Sequence, residues 1–174
     1  LSNVTIMDAK IATMSDGMVL DTFAFLDSTE RAVTHPEKLQ RIFARIEDIL
    51  AGRLFLEKEL ATARQNNPKK REETFTVASR VIVNNQASST DTIIEVNGCD
   101  RIGFLYDVTS ALTRLGLKIS SAHITTFGEE VVDTFYVKDI FGLKITHNDK
   151  IKKIREILLR AVKKVNESTT LAAE

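Results

Sequence analysis

The chain contains an internal repeat, which restricts its possible architecture more than any other feature of the sequence. Residues 6–11, Ile-Met-Asp-Ala-Lys-Ile, align with residues 119–124, Ile-Ser-Ser-Ala-His-Ile, at a separation of 113 positions. Residues 21–23 and residues 133–135 are both Asp-Thr-Phe, and they align at a separation of 112 positions. The change of one position falls between the aligned segments, which is typical of two hairpins with turns of different length.

The second copy has the order strand, helix, strand, strand, helix. A β-branched run at residues 92–96 ends at a turn, and a helix follows in which leucine and valine recur every three or four residues. Asp100 is expected to cap this helix and Gly116 to end it. Residues 119–127 and 131–138 are predicted to form a hairpin, followed by a second amphipathic helix with apolar residues at Ile151, Ile154, Leu158 and Val162.

The first copy begins later in the same pattern. Residues 4–13 and 18–26 are predicted to form its hairpin. Residues 36–50 are predicted to form its helix, with Pro36 in the first turn and Gly52 at the end. The strand and helix that open the second copy have no counterpart here.

This alignment predicts the division of the chain. Residues 1–52 form the second half of a first domain, which is closed by a strand at about residues 74–86. Residues 53–73 are a charged linker with a short helix. Residues 90–165 form the second domain, and residues 166–174 are expected to be a disordered tail.

Together the copies predict an α+β fold of two βαββαβ units, with helices on one face of an antiparallel sheet. In this plan the opening strand lies inside the sheet, so its absence from the first unit leaves backbone groups unpaired. Either the strand that begins near Phe75 shifts across to fill the gap, or another chain fills it. The second possibility predicts a homo-oligomer formed through sheet edges.

Composition excludes several classes of protein. Lys and Arg number 24 and Asp and Glu also number 24, so the neutral chain lacks the basic excess of a nucleic-acid binder. No apolar stretch approaches the length of a membrane span. The single cysteine, Cys99, excludes an intrachain disulfide and a cysteine-based zinc site, and it favours a cytoplasmic location.

Catalytic and metal-binding motifs are missing from the sequence. There is no glycine-rich phosphate loop, nucleophile elbow or paired-carboxylate motif. The three histidines are far apart, and His35 and His147 occupy equivalent helix-start positions in the repeat. We therefore assign no catalytic residues and no metal ligands, and interpret these two histidines as structural.

The strand-turn-helix segment at residues 97–103, called the candidate loop below, is the best site that the residues indicate. A helix N-terminus offers N–H donors and a positive dipole end to the carboxylate of an amino acid. Asp100 could meet the ligand's ammonium group, or it could only cap the helix, where it would contribute about 1 kcal/mol. Gly98 and Gly103 allow a close backbone approach, while Cys99 is interpreted as a small loop residue.

Residues 95–108, Glu-Val-Asn-Gly-Cys-Asp-Arg-Ile-Gly-Phe-Leu-Tyr-Asp-Val, resemble the signature of the ACT family of ligand-binding regulatory domains. Residues 119–124, 132–139 and 141–145 are similar to the ACT domains of the enzymes that modify the nitrogen regulatory protein PII. Those enzymes end in two ACT domains. The resemblance extends from about Val4 to Val162, with one departure: Ile102 stands where the family usually has proline.

In ACT domains the ligand commonly lies between this loop and the second strand of an adjacent unit. The resemblance therefore implies a binding site formed by two groups of residues, which are Asn97, Gly98, Cys99, Asp100, Arg101, Ile102 and Gly103 in the loop and Ser120, Ser121, Ala122 and His123 in the strand. The alternative is that the small side chains of this strand only pack under helices.

The resemblance also implies a function. The region would sense glutamine and regulate an enzyme that attaches uridylyl groups to PII and removes them. The expected partners are an amino acid, PII and the enzyme's catalytic domains. Mg and UTP would belong to those domains, and no cofactor is expected in this chain. The alternative is an oligomerisation or protein-docking module that binds no metabolite.

Overall fold

The computed structural model describes residues 4–27, 31–66 and 77–163. These residues form six strands and four helices, and the α+β class predicted from the repeat is confirmed. The elements are β1 (Val4–Thr13), β2 (Val19–Asp27), α1 (Pro36–Leu50), α2 (Leu56–Asn66), β3 (Arg80–Asn84), β4 (Thr92–Cys99), α3 (Phe104–Arg114), β5 (Lys118–Phe127), β6 (Glu130–Lys138) and α4 (Asn148–Lys163).

All six strands form one antiparallel sheet in the order β2-β1-β5-β6-β4-β3. Alternate residues of β4 and β6 are buried, because one face of the sheet lies under α3 and α4. The fully buried centre of this core comprises Ile94, Val96, Val108, Leu112, Phe135, Val137, Ile154 and Leu158. The second unit is therefore a complete two-layer domain.

The two units meet through β1 and β5, which are the equivalent strands of the repeat. Asp8 pairs with Thr125, Lys10 with His123 and Ala12 with Ser121. Lys10 and His123 are also the aligned residues of the two copies, so each lies opposite its own counterpart. A local two-fold axis therefore passes through this pair and relates the two units.

Both ends of α3 were predicted from the sequence, and the C-terminal prediction is the one that is confirmed. Gly116 follows the helix with φ 68°, and its N–H donates to the Thr113 carbonyl at 2.9 Å. The Leu117 N–H donates to the Leu112 carbonyl at 3.0 Å, which completes a Schellman motif and confirms the predicted end. The predicted Asp100 cap is wrong, because Gly103 is the N-cap residue and no side chain caps the helix.

In the first unit, α1 has the predicted bounds but no core to pack against. Its counterpart α4 buries Ile154, Leu158 and Val162. None of the fifteen residues of α1, all of them described, is buried, and Phe43 and Leu50 are 61% and 82% exposed. In the second unit the equivalent helix α4 packs against α3 and β4.

The expectation that a strand at about residues 74–86 closes the first unit is wrong for the part that is described. β3 pairs with β4, at the edge of the sheet opposite to β2. The connection between β3 and β4 is short and is held by the Asn85 side chain, which accepts from Thr92 Oγ1 at 2.7 Å. A short connection favours antiparallel pairing of neighbouring strands, and α4 covers β3, where Val81 is buried.

Some of the domain predictions lie outside the described residues. These are the predictions for residues 67–76, in the linker and the closing strand, and for the tail at residues 166–174. The linker helix itself is present as α2. Among the helices of the described residues, none combines the length and apolar character needed to cross a membrane.

Gly98 allows both helices of the second unit to approach β4 closely. A β-carbon added there would lie 2.8 Å from Val162 Cγ1 and 3.0 Å from the Phe104 ring. We predict that Gly98→Ala lowers the free energy of unfolding by about 1–3 kcal/mol through overpacking. Val162→Ala removes the closest atom, so the double variant should lose at least about 0.5 kcal/mol less than the sum of the single variants. Denaturant unfolding of the four proteins measures this, and additive losses would contradict it.

Candidate functional site

The candidate loop continues the sheet before it turns into α3. Asn97, Gly98 and Cys99 are the last residues of β4. The Asp100 N–H donates to the Glu129 carbonyl at 2.7 Å, which extends the pairing by one step. Gly103 then turns the chain with φ 77°, a conformation that favours glycine. The seven residues predicted from the sequence are therefore contiguous and end at a helix N-terminus.

Asp107, in the first turn of α3, joins two arginines from different parts of the chain. Its Oδ2 lies 2.6 Å from Arg101 Nη1 and 2.9 Å from Arg64 Nη2. Arg101 also donates to the Ala161 carbonyl of α4 at 2.8 Å, and its guanidinium lies 5.6 Å from the Phe104 ring centroid. Arg101 therefore links the candidate loop to both α3 and α4 and stabilises the position of the loop.

Helix α2 lies over the candidate loop. Arg64 Nε donates to the Ile102 carbonyl at 3.2 Å, and Leu60 is buried beside it. The Tyr106 hydroxyl donates to Glu57 Oε1 at 2.7 Å, which makes a second attachment along α3. A β-carbon at Gly103 would collide with the Arg64 guanidinium. A ligand that approaches the N-terminus of α3 from this side must displace α2.

The structure does not bring the two predicted groups of site residues together. β6 lies between β4 and β5, and Ser121 is aligned through Tyr136 with Ile93, at the start of β4. Gly98 is aligned through Val131 with Thr126 instead. Ile93 and Gly98 are five residues apart on β4, so Ser121 lies about 16 Å along the strand direction from the level of Gly98. Ser121 therefore lies near the opposite end of β4 from the loop, while Ala122 and His123 are level with Ile94 and Glu95 in the middle of that strand.

The residues of the adjacent unit that share the loop's end of the sheet are Met7 and Asp8. Asp8 pairs with Thr125, beside the row that contains Gly98. Met7 and Asp8 are the counterparts of Ser120 and Ser121 in the repeat. The binding role of Ser120–His123 therefore stays a prediction, and the repeat alignment indicates Met7 and Asp8 as further candidates at the loop's end of the sheet.

The strand group has local partners of its own. Ala122 is buried, and the ring centroid of the exposed His123 lies 6.2 Å from that of Tyr136. The Ser120 side chain hydrogen-bonds to the carboxyl group of Asp91. Burial tends to raise the pKa of Asp91, but hydrogen bonds from Thr90 and Ser120 and two nearby lysines lower it overall.

Asp133 is a buried acid beneath the candidate loop that the sequence interpretation missed as a site residue. It is 1% exposed, pairs with Val96 and Ile124, and its Oδ1 has no hydrogen-bond partner among the described residues. Burial raises the pKa of Asp133 to about 7, and the neighbouring charge of Asp100 adds to the shift. Strand periodicity could have indicated it, because it falls on the same face as three apolar residues of β6.

The described residues contain no group of three or more His, Cys, Asp or Glu side chains that could hold a metal ion. His35 and His147 directly precede α1 and α4, as predicted. Two open clefts run along α1, lined by residues that include Glu37 and Arg41. These clefts are remote in sequence from the candidate loop and contain no arrangement that suggests catalysis.

Comparison with known proteins identifies the second unit. The family model described as "ACR family N-terminal ACT domain" matches residues 87–165. Residues 87–165 belong to the ACT family. The family resemblance drawn from the sequence is thus confirmed on the complete unit.

Curated relatives match 90% or more of the chain. They include proteins named bifunctional uridylyltransferase/uridylyl-removing enzyme from Rhodospirillum rubrum, Azospirillum brasilense and Gluconobacter oxydans. Their identities are 49%, 49% and 44%, over 100%, 90% and 93% of this chain. The chain spans only 19%, 17% and 17% of these proteins, about a fifth of their length. No solved structure gives a significant match.

Asp133 should make stability depend on pH. Between about pH 4 and pH 7 the folded protein keeps a proton on Asp133 that the unfolded chain, with a pKa near 3.8, has lost. The free energy of unfolding therefore falls as pH rises through this window, by up to about 4 kcal/mol, and is level above it. Asp133→Asn should remove this fall. Urea unfolding of both proteins from pH 4.5 to pH 8 measures it, and parallel curves would contradict the assignment.

The attachment of α2 to α3 can be measured by a double-mutant cycle. Arg64 and Asp107 side chains are 22% and 7% exposed, so their coupling energy should reach about 1–3 kcal/mol. The Arg53–Asp48 pair, with side chains 63% and 41% exposed, is a matched control that should couple by under about 1 kcal/mol. Alanine variants of each pair are unfolded in denaturant. Equal coupling in both cycles would show that α2 is not held by this pair.

Proposed function

We propose that this chain is the glutamine-sensing regulatory region of an enzyme that uridylylates the nitrogen regulatory protein PII and removes the uridylyl group. The observation that carries the proposal is the match of the whole chain, at up to 49% identity, to relatives named for both activities. ACT domains are regulatory modules, and residues 87–165 belong to that family. The comparisons support the ACT domain and the relation to these enzymes.

The candidate loop has features that suit an amino-acid ligand. The N-terminus of α3 carries no side-chain cap, so its backbone N–H groups can receive a carboxylate. Asp100 and the buried Asp133 lie close enough for their charges to interact, and such a pair of acids would attract the ligand's ammonium group. Met7 and Asp8, on strand β1 of the adjacent unit, are proposed to complete the site.

Regulation requires two arrangements of the chain with different affinity for the ligand. The position of α2 supplies one candidate difference, because Arg64 and Leu60 now cover the loop. Glutamine would bind when α2 has moved away, and binding would hold the linker in that second position. The linker joins the two units, so its movement would change how the first unit is presented to the catalytic domains.

The chemistry itself is proposed to lie outside this chain. UTP and Mg would be bound by the catalytic domains of the longer protein, which would also present the site for PII. The described residues supply no catalytic constellation and no metal cluster. The part played by these residues would be to change the balance between the two activities.

Glutamine binding is tested on the full-length protein. Ligand at about 100 times its dissociation constant stabilises the folded form by about 2.7 kcal/mol, so the calorimetric midpoint of the ACT transition should rise by several degrees. Glutamate at the same concentration is the control for nonspecific effects. No rise at millimolar glutamine, when an unrelated amino-acid-binding protein responds under the same conditions, would overturn glutamine sensing.

The role of Asp100 is tested by alanine substitution. Asp100→Ala should abolish the glutamine-induced rise in the midpoint, because the loop loses its acidic group. Glu129→Ala is the matched control, since Glu129 is an exposed acid whose backbone pairs with Asp100. It should leave the rise unchanged. A full rise in Asp100→Ala would remove this residue from the binding site.

A second candidate function is an oligomerisation or docking module without a metabolite ligand. Two observations favour it: α2 closes the candidate loop, and the apolar residues Phe43, Ile46 and Leu50 of α1 are exposed. Within the described residues, the outer edge of β2 carries only a single bridge, between Leu26 and Ala32. Light scattering during a glutamine titration separates the two functions, because the docking module would self-associate regardless of glutamine.

A further inference from the structure

The loop between β6 and α4, at residues 139–145 and called the apolar loop below, exposes three large apolar side chains. Ile140, Phe141 and Leu143 are 57%, 80% and 64% exposed. They lie within four consecutive positions, at the end of the sheet opposite to the candidate loop. Isolated apolar residues on a surface need no explanation, but a group of three in one turn indicates a contact.

The apolar loop is held in a defined shape. Asp139 Oδ1 accepts from the backbone N–H groups of Phe141 and Leu143, at 2.9 Å in each case. The Asp139 N–H donates to the Leu143 carbonyl at 2.8 Å. At the far end, Lys144 Nζ donates to the Ser88 carbonyl at 2.7 Å. A partner would therefore meet a preorganised surface, and little backbone entropy would be lost on binding.

The first unit shows that the fold of this loop does not require apolar residues. Asp27 is the counterpart of Asp139, and it makes the same pair of contacts with Arg31: its N–H donates to the Arg31 carbonyl at 2.9 Å, and its Oδ1 accepts from the Arg31 N–H at 3.3 Å. The residues between them are Ser28, Thr29 and Glu30. The Asp27–Arg31 contacts thus form where the intervening sequence is polar, whereas the intervening sequence of the apolar loop contains Ile140 and Phe141.

The size of the surface indicates what covers it. Three side chains offer at most a few hundred Å², well below the roughly 800 Å² that each partner buries in a stable complex of separate proteins. Such a small contact can still form when both surfaces belong to one polypeptide, because the covalent connection gives an effective concentration in the millimolar range. The curated relatives are about five times as long as this chain, so most of each relative lies outside the matched region.

We propose that the apolar loop docks into an apolar pocket on the remainder of the same polypeptide, outside residues 1–174. The contact would fix the second unit against the rest of the protein, and the candidate loop, at the other end of the sheet, would lie outside this contact. The inference rests on the proposal that the chain is part of a longer enzyme, and it is independent of which metabolite binds.

The test compares two positions of equal exposure in the full-length protein. Leu143 and Phe127 are 64% and 66% exposed, and they lie at opposite ends of the sheet. Each is changed to cysteine in a separate variant. The rate of maleimide labelling at each site is followed by peptide mass mapping, which separates the signal from Cys99, and is divided by the rate in denatured protein. Phe141→Cys provides a second position in the apolar loop.

Labelling at Leu143→Cys and Phe141→Cys should be at least tenfold slower than at Phe127→Cys. Similar rates at all three positions would overturn the proposal, whether all are fast or all are protected. The measurement is repeated after a hundredfold dilution. Protection that persists supports a contact within one polypeptide, and protection that disappears would show a separate partner or a second copy and overturn it. Glutamine plays no part in this test, so its failure leaves glutamine sensing untouched.

Discussion

The antiparallel pairing of β1 with β5 is the constraint on which the rest of this structure depends. The first unit has no core of its own, because no residue in the described α1 is buried. Ala9 is fully buried, and Ile6 and Ile11 pack against the core of the second unit. The first unit is therefore ordered by its neighbour, and the six-stranded sheet is continuous only because this edge of β5 is covered. Without the pairing, β5 would be an exposed edge strand.

The linker helix α2 makes a second long-range connection, to the candidate loop and α3 of the second unit. Arg64 lies 38 positions before the carbonyl to which it donates, and 43 positions before Asp107. One buried carboxylate holds two guanidinium groups, from α2 and from the candidate loop. Removing one member of such a buried network leaves the others without their partner, so the network favours a single arrangement of α2. The candidate site and the linker are consequently one structural unit.

Local signals predicted the elements of this fold well. The bounds of β1 and α1 match those expected from the sequence, because the hydrophobic period, Pro36 and Gly52 all act within a few residues. The failures involve longer distances. Asp100 does not cap α3, since its backbone stays paired with Glu129. β3 pairs with β4, the next strand along the chain, whereas the repeat alignment assigned it to the first unit and took no account of the short connection.

The candidate site was predicted in part. The candidate loop could be found because its glycines and the following helix lie in one continuous segment. Arg64 could not, since nothing near α2 in the sequence indicates what the helix covers. Asp133 and Asp8 are intermediate cases. Strand alternation and the repeat alignment contained the necessary information, but both required the arrangement of the sheet before they could be used.

The position of the two-fold axis has a consequence for how the two units can diverge. A residue on the axis of a pair of identical units would face a second copy of itself. Two copies of the first unit that paired through β1 would place two lysine ammonium groups opposite each other, and like charges opposite each other destabilise a sheet. The tandem chain encodes the two positions separately, with Lys10 on one side and the imidazole of His123 on the other. The edge of β1 is therefore better matched to its neighbour within the chain than to its own copy in another molecule.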